Sequence, residues 1–315
     1  MAARSRSDSR RTSRPQRLCI AGVLVLALAA CATTDPSPED LDLVQGQLEP
    51  ARQLELAAAA VRAGRHGEAI DRYQAMLRAD PDHLEARLGL GEAYLGRSAN
   101  AEALTTFQTL LDRQDVVSAP EVRAAAQQGR GIALLRLGRV EEAHAVLSEA
   151  ATSDPTLWRA WNALGQALDS RRAWDDARAS YEQALWATPA PARVHNNLGV
   201  SLMRAGEHEA AITQFGKALQ LDPDLRIAQA NLRLALAFEG RYVEALAGVP
   251  QKDLPQILNN VGYIALLRGD HPRAEAYFLR ALETSPSFYE PSWRNLQYLA
   301  TLKDQGLAPI PTHGG

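Results

Sequence analysis

Four asparagines occupy the same position in successive copies of a sequence repeat, and they are the residues of this sequence best suited to binding a ligand. They are Asn197, Asn231, Asn260 and Asn295. An asparagine amide offers both a donor and an acceptor, so a row of them can hold the main-chain amides of an extended peptide. We place Arg193, Val200 and Tyr263 beside them on the same face, where they would contact the side chains of such a peptide. The alternative is that these asparagines cap or solvate helix starts.

The sequence contains none of the short motifs that mark common active sites. It has no H-E-x-x-H metal motif, no G-x-S-x-G nucleophile elbow, no phosphate-binding glycine loop and no C-x-x-C pair. His66, His208 and His271 fall in matching turns between predicted helices, where polar residues are common. We therefore expect no enzymatic activity, no metal, no cofactor and no small-molecule substrate. Protein or peptide partners remain as the expected class.

The charge distribution argues against nucleic acid as a partner. Of 34 basic and 37 acidic residues, six arginines and one acid fall within residues 1–30. The remainder holds 34 − 6 = 28 basic and 37 − 1 = 36 acidic residues, a net charge of −8. Sequence-independent nucleic-acid binding needs a basic surface, which this composition does not provide.

The elements that would position these residues are repeated along the chain. An alanine, preceded in most cases by an acidic residue, recurs at separations of 34, 40, 34, 34, 34 and 29 residues. These alanines are Ala69, Ala103, Ala143, Ala177, Ala211, Ala245 and Ala274. Four residues after them stand the large side chains of Tyr73, Phe107, Leu147, Tyr181, Phe215, Val249 and Phe278. A repeat of this period predicts a stack of similar structural units.

Small residues keep the same phase. Twelve residues before the alanine stand Ala57, Gly91, Gly131, Gly165, Gly199 and Gly262, and five before it stand Gly64, Gly138, Gly206, Gly240 and Gly269. Small residues let two helices cross closely, and a glycine after the first helix suits a left-handed cap. One such hairpin cannot bury its apolar face alone, so the units are expected to stack into a superhelix.

This set of positions resembles the tetratricopeptide repeat over residues 50–302. The resemblance implies an all-α superhelix of about seven helical hairpins, with a C-terminal capping helix over residues 291–303. First helices line the concave face of such superhelices. The asparagine row resembles the inward ladder by which some tetratricopeptide proteins grip a peptide backbone.

Two stretches depart from the repeat. Gln114 to Pro120 predicts a longer loop, because it accounts for the separation of 40 residues. The sixth repeat has Arg233 where glycine is usual, and Pro250 follows closely after Ala245. We expect a shortened or irregular helix over 245–255.

The N-terminal segment has the pattern of a signal peptide. A basic stretch precedes 13 apolar residues, Leu18 to Ala30, whereas a membrane-spanning helix needs about 20. The run ends in Leu28-Ala29-Ala30-Cys31, which resembles the lipobox of bacterial lipoproteins. The resemblance implies that the Cys31 thiol is acylated, and two acyl chains give stable anchoring. The alternative is ordinary secretion, with Cys31 incidental.

The segment after the cysteine bears on localisation. Ala32, rather than aspartate, follows Cys31, and by resemblance to lipoprotein sorting in Gram-negative bacteria this favours the outer membrane, facing the periplasm. We expect a signal peptide over 1–30 and a lipidated cysteine with a flexible tether over 31–49. The repeat domain then spans 50–302, and a disordered tail covers 303–315.

Several segments are similar to the TadD-type lipoprotein of Tad (Flp) pilus assembly. They are Asn196–Val200, Ala230–Ala237, Gly240–Ala245 and Asp253–Pro255. The similarity implies a non-enzymatic assembly factor that binds protein partners of the pilus machinery in the envelope. The alternatives are a general envelope scaffold for outer-membrane protein insertion or peptidoglycan enzymes, a pilotin-like factor for a different secretin, and an accessory subunit of an enzyme.

Overall fold

The computed structural model describes residues 38–306, with side chains from residue 49 onward, and this part of the chain is all-helical. Its α-helices are α1 Pro38–Arg62, α2 His66–Ala79, α3 Leu84–Gly96, α4 Asn100–Leu111, α5 Pro120–Arg136, α6 Val140–Ser153, α7 Trp158–Ser170, α8 Trp174–Ala187, α9 Pro191–Arg204, α10 His208–Leu221, α11 Arg226–Phe238, α12 Tyr242–Leu246, α13 Leu254–Leu267, α14 His271–Thr284 and α15 Glu290–Asp304. None of the described helices combines the length and apolarity needed to cross a membrane.

Contacts divide the chain into two units, and the boundary at residues 52 and 53 falls inside α1. The unit that begins at Gln53 holds the repeats. Each repeat alanine lies in an even-numbered helix, so that α1 to α14 supply seven first and second helices and α15 is the cap. First helices also contact the next first helix, as α5, α7, α9 and α11 do in turn. This arrangement confirms the expected tetratricopeptide-type superhelix.

The repeated small residues lie where helices cross. All seven repeat alanines are fully buried. A Cβ atom added to Gly91, Gly131, Gly165, Gly199 or Gly262 would lie 2.5–2.8 Å from the large side chain of the same repeat. Such distances are shorter than van der Waals contact, so only glycine allows the observed approach. The prediction that small residues mark the crossings is confirmed.

The turn between the two helices of each hairpin has left-handed backbone. Gly64, Gly138, Gly206, Gly240 and Gly269 have φ between 73° and 85°. The two repeats without glycine at this position keep the conformation, with φ of 63° at Ser98 and 58° at Arg172. The repeat geometry therefore imposes the left-handed cap even where a side chain opposes it.

The left-handed backbone at Arg172 leads to a prediction about stability. Since left-handed backbone costs a non-glycine residue about 1–2 kcal/mol, Arg172→Gly is expected to raise the free energy of unfolding by about 0.5–1 kcal/mol in urea titrations. Arg171 is the control in the same turn, because its φ is −91°. Arg171→Gly should lower the free energy instead. Stabilisation by both variants, or by neither, would contradict the assignment of strain to Arg172.

The two stretches that depart from the repeat, before α5 and around α12, have defined structures. The segment before α5 forms a 3₁₀ helix, Asp115–Ser118, whose Val116 is buried in the core, so the expected loop is partly ordered. Helix α12 is only five residues long, so the second helix of the sixth repeat is short as expected, but it ends at Leu246 and the expected helix over 245–255 is wrong in its bounds. The Arg233 guanidinium donates to the carbonyl oxygens of Ala245 and Ala247, at 3.0 and 2.9 Å. Arg233 thus satisfies carbonyls that a longer helix would have bonded internally.

The N-terminal boundary differs from the sequence expectation. Helix α1 begins at Pro38, inside the segment 31–49 for which we expect a flexible tether. Proline at the first helical position and acidic residues in the first turn, here Glu39 and Asp40, both favour a helix start. Residues 31–37 of the tether lie outside the described residues. The capping helix extends one residue beyond the expected 291–303 at each end, so the first two residues of the expected disordered tail, 303 and 304, are helical. The expected signal peptide over 1–30 and residues 307–315 of the tail lie outside the described residues.

Candidate functional site

Two adjoining cavities form one groove along the first helices α5, α7, α9 and α11. Their volumes are about 480 and 410 Å³. They share five lining residues, which are Leu135, Gln166, Asn196, Asn197 and Ile227. Because the cavities share these residues, we treat them as a single groove that crosses three helix-to-helix junctions.

The groove brings together four of the seven residues that the sequence analysis places on the binding face. Asn197 and Arg193 line the larger cavity, and Asn197, Val200 and Asn231 line the smaller one. The remaining three lie outside it: Asn260 and Tyr263 on α13, and Asn295 on α15. The lipidation candidate, Cys31, lies outside the described residues.

The asparagines hydrogen-bond to one another between helices. The Nδ2 atom of Asn197 donates to Oδ1 of Asn162 at 2.9 Å, and Nδ2 of Asn231 donates to Oδ1 of Asn196 at the same distance. Asn196 in turn donates to Oδ1 of Asn197 at 3.3 Å. The four amides therefore form a continuous chain across α7, α9 and α11, which we call the amide chain.

The same pairing recurs at the C-terminal end, where Nδ2 of Asn295 donates to Oδ1 of Asn259 at 2.9 Å. Asn260 makes no side-chain hydrogen bond with any described residue. Asn162, Asn196 and Asn259, the acceptors of these bonds, were missed by the sequence analysis. Each lies 35 or 36 residues before its donor, and a search for asparagine pairs at one repeat plus one or two residues would have found them.

The amide chain does not cap helices, since its members lie inside α7, α9 and α11. It also leaves capacity for a ligand. An amide group has two hydrogens to donate and two lone pairs to accept with, and Asn231 uses only one of these four in the described structure. Three members of the chain are partly exposed, whereas Asn196 is buried. The groove can therefore offer main-chain partners without breaking its inter-helix bonds.

Arginines give the groove a positive lining. Arg136, Arg159 and Arg193 line the larger cavity, and Arg204 lines the smaller one. Arg159 pairs with Glu92 at 2.8 Å, and Arg136 donates to the carbonyl oxygen of Leu95 at 2.7 Å. Burial and the charge of Arg159 both lower the pKa of Arg136.

The one carboxylate among the lining residues is Asp169, which is 5% exposed. Its Oδ2 accepts from the Tyr181 hydroxyl at 2.8 Å, and its Oδ1 accepts from the Ser201 hydroxyl at 2.5 Å. Burial raises the pKa of the Asp169 carboxyl, and burial with the nearby carboxylate raises the pKa of Tyr181. These bonds join α7, α8 and α9 directly beneath the groove.

Asp169 is a further residue of the groove that was not predicted from the sequence. A signal existed in the sequence, because the matching position is apolar in all six other repeats, at Val61, Leu95, Leu135, Met203, Ala237 and Leu266. Tyr181, like Tyr73, also carries a hydroxyl where Phe107, Phe215 and Phe278 do not. An acid at an otherwise apolar position, in a repeat whose large side chain carries a hydroxyl, predicts a buried hydrogen bond. No cluster of three or more histidine, cysteine or acidic residues able to hold a metal occurs in the part that the structure describes.

Comparison with known proteins agrees with this architecture. Sequence profiles described as Tetratricopeptide repeat match residues 60–129, and again residues 129–192, 162–226, 197–249 and 241–287. A thermophilic TPR protein of Thermus thermophilus superposes with a TM-score of 0.50 at 23% identity, covering 62% of this chain and 98% of its own. The C-terminal part of a TPR repeat-containing protein from Cytophaga hutchinsonii gives 0.51 at 18% identity, covering 76% and 97%. At these identities the likeness shows the fold alone.

Proposed function

Since this chain belongs to the tetratricopeptide-repeat family, we propose that it is a non-enzymatic adaptor that binds envelope protein partners in its groove. In this proposal a lipid on Cys31 anchors it to the periplasmic face of a Gram-negative outer membrane. The process that it serves is the assembly of a Tad (Flp) pilus.

The observation that carries the proposal is the groove itself, in which the amide chain lies beside apolar and basic side chains. Four amide hydrogen bonds at about 0.5–1.5 kcal/mol each would contribute roughly 2–6 kcal/mol. Association costs an estimated 4–15 kcal/mol, so the amides alone do not suffice. Trp158, Leu225 and Ile227 supply apolar contact in the same groove. Hydrogen bonds and apolar contacts together can offset the free-energy cost of association.

The anchor and the pilus role are supported by the sequence. The lipobox-like Leu28-Ala29-Ala30-Cys31 supports acylation, and Ala32 supports outer-membrane sorting. The segments similar to TadD-type lipoproteins include 196–200, inside the groove, and 230–237, which carries Asn231 and Arg233. A general envelope scaffold is the second candidate, since the same groove would serve other partners equally well.

The proposal is tested by counting pili in a Tad-positive bacterium that carries variants of this gene. Cys31→Ser is expected to abolish palmitate labelling and membrane retention, and to reduce pili at least tenfold. Asn197→Ala with Asn231→Ala should keep the lipid and also reduce pili. Equal palmitate labelling of wild type and Cys31→Ser would reject the lipoprotein, and normal pili in both variants would reject the pilus role.

A matched variant separates binding from stability. Because Asn197 and Asn231 each bond to another asparagine, their truncation is expected to lower the melting temperature somewhat. Asn295→Ala breaks an equivalent bond to Asn259 outside the groove. If pilus loss follows melting temperature in both variants, the asparagines are structural only.

A further inference from the structure

We propose that the groove binds an extended partner segment with the pattern acidic–x–apolar–x–acidic, whose two carboxylates meet Arg193 and Arg204. The inference rests on the proposed function, because it names the chemistry of the partner that the adaptor takes. It commits to acidic side chains within a segment, rather than to the carboxylate at a chain terminus.

The charge of the groove is opposite to that of the rest of the chain. Outside residues 1–30 the sequence has a net charge of −8, whereas the groove is lined by four arginines and one carboxylate. A concave surface that concentrates positive charge on an acidic protein favours an acidic ligand, because the groove attracts the ligand while the net charge of the chain opposes binding elsewhere.

The side chains of two of the four arginines have no polar partner among the described residues. Arg159 is paired with Glu92, and Arg136 donates to the Leu95 carbonyl. Arg193 and Arg204 are exposed and form no ion pair or side-chain hydrogen bond with the described residues. Their guanidinium groups are therefore the ones in the groove that an incoming carboxylate can pair with.

Asp169 does not take the place of that carboxylate. Both of its oxygens accept hydrogen bonds from Tyr181 and Ser201, and the side chain is buried beneath the groove. Its attraction to Arg204 is Coulombic, without direct contact. The guanidinium of Arg204 therefore stays available to a partner.

The spacing of the two arginines sets the pattern of the ligand. They lie 204 − 193 = 11 residues apart on α9, which is about 16 Å at 1.5 Å per residue. An extended segment rises about 3.3 Å per residue, and alternate side chains point to the same side. Acids four residues apart therefore span about 13 Å on one face, and the long arginine side chains cover the difference. The residue midway between them points to the same face.

An apolar residue at that midway position fits the groove. Ile227 lines both cavities and is 58% exposed, so it presents apolar surface to the groove. Leu225 and Trp158 line the larger cavity with it. A leucine-sized side chain between the two acids would cover this exposed apolar surface, which adds to the charge contacts at either end.

The test measures fluorescence anisotropy of labelled nine-residue peptides, acetylated and amidated, with the full-length chain purified in detergent. One peptide carries Glu–x–Leu–x–Glu at its centre, and the matched peptide carries Gln–x–Leu–x–Gln. We expect the dissociation constant of the glutamate peptide to be at least tenfold lower at 50 mM salt. This advantage should shrink at 500 mM salt, because ions screen exposed charges.

Charge-reversed variants test the two arginines. Arg193→Glu with Arg204→Glu is expected to abolish the preference for glutamate. Arg78→Glu with Arg280→Glu makes the same change in net charge outside the groove and should keep the preference. Equal affinity for both peptides, an unchanged preference in the groove variant, or no binding below 1 mM would overturn the proposal.

A peptide with a free carboxyl terminus separates the two sources of carboxylate. Binding only by that peptide would also overturn the proposal in favour of terminal recognition. Failure of this proposal can be distinguished from failure of the proposed function, because peptide binding and pilus number are measured separately. Glutamate-dependent binding, together with normal pili in the variants described above, would support the acidic ligand and reject the pilus role. Loss of pili in those variants without glutamate-dependent binding would support the pilus role and reject the acidic ligand.

Discussion

Replacing Gly199 with leucine is expected to lower the free energy of unfolding by about 3 kcal/mol. A Cβ atom at this position would lie 2.6 Å from the ring of Phe215, which is fully buried. The ring cannot withdraw without opening a void or moving α10 away from α9. Overpacking of a close-packed core costs typically 1–3 kcal/mol, and a helix crossing with no free volume lies at the upper end of that range.

Gly216, in the partner helix of the same hairpin, is the matched control. Nothing lies within 4 Å of a Cβ atom added there. Gly216→Leu should leave the free energy of unfolding unchanged or raise it by up to about 1 kcal/mol, because leucine is a better helix former. Urea titration of both variants checks the prediction. A similar loss in both would show that helix content, rather than the crossing, sets the effect.

These two glycines show why the fold could be predicted from the sequence. Gly199 keeps the phase of Gly91, Gly131, Gly165 and Gly262, and each stands opposite a large residue sixteen positions later, so one steric rule repeats along the chain. Gly216 has no counterpart in phase, and its environment is open. When a small residue and a large residue recur at a fixed separation, they predict the same helix-to-helix contact in each repeat.

The groove could be predicted only in part, because its interactions do not repeat in every unit. The phase of Asn197 and Asn231 places them on the concave face, but their acceptors lie one position earlier in the preceding repeat. Such bonds depend on the offset between neighbouring hairpins, which the spacing of the repeats does not fix. Arg233 is similar, since its role as a cap for α12 follows from the early end of that helix.

Replacing Asp169 with alanine is expected to lower the free energy of unfolding by about 2–4 kcal/mol. The change leaves the hydroxyls of Tyr181 and Ser201 buried without their acceptor, and each unsatisfied group costs about 1–3 kcal/mol. Removing the donors as well, in a variant that also carries Tyr181→Phe and Ser201→Ala, should recover part of this loss. A loss below 1 kcal/mol for Asp169→Ala would show that water replaces the carboxylate.

The pH dependence of stability tests the charge state of Asp169. Burial raises the pKa of this carboxyl above the value of about 3.9 expected in the unfolded chain. Between the two pKa values the folded protein binds more protons at this site than the unfolded chain. The contribution of Asp169 to stability is therefore greatest below pH 4 and declines as pH rises through the folded pKa.

Asp169→Asn isolates that contribution, because asparagine does not titrate and keeps the shape of the side chain. The carboxylates of Asp115, Glu142 and Glu244 have lowered pKa values and give the opposite slope, but they are present in both proteins and cancel in the difference. The free energy of unfolding of the wild type minus that of Asp169→Asn should fall as pH rises above 4, and level off once the folded carboxyl is ionised. If this difference rises with pH, the hydroxyls of Tyr181 and Ser201 and the charge of Arg204 outweigh burial, and Asp169 is a stabilised anion beneath the groove.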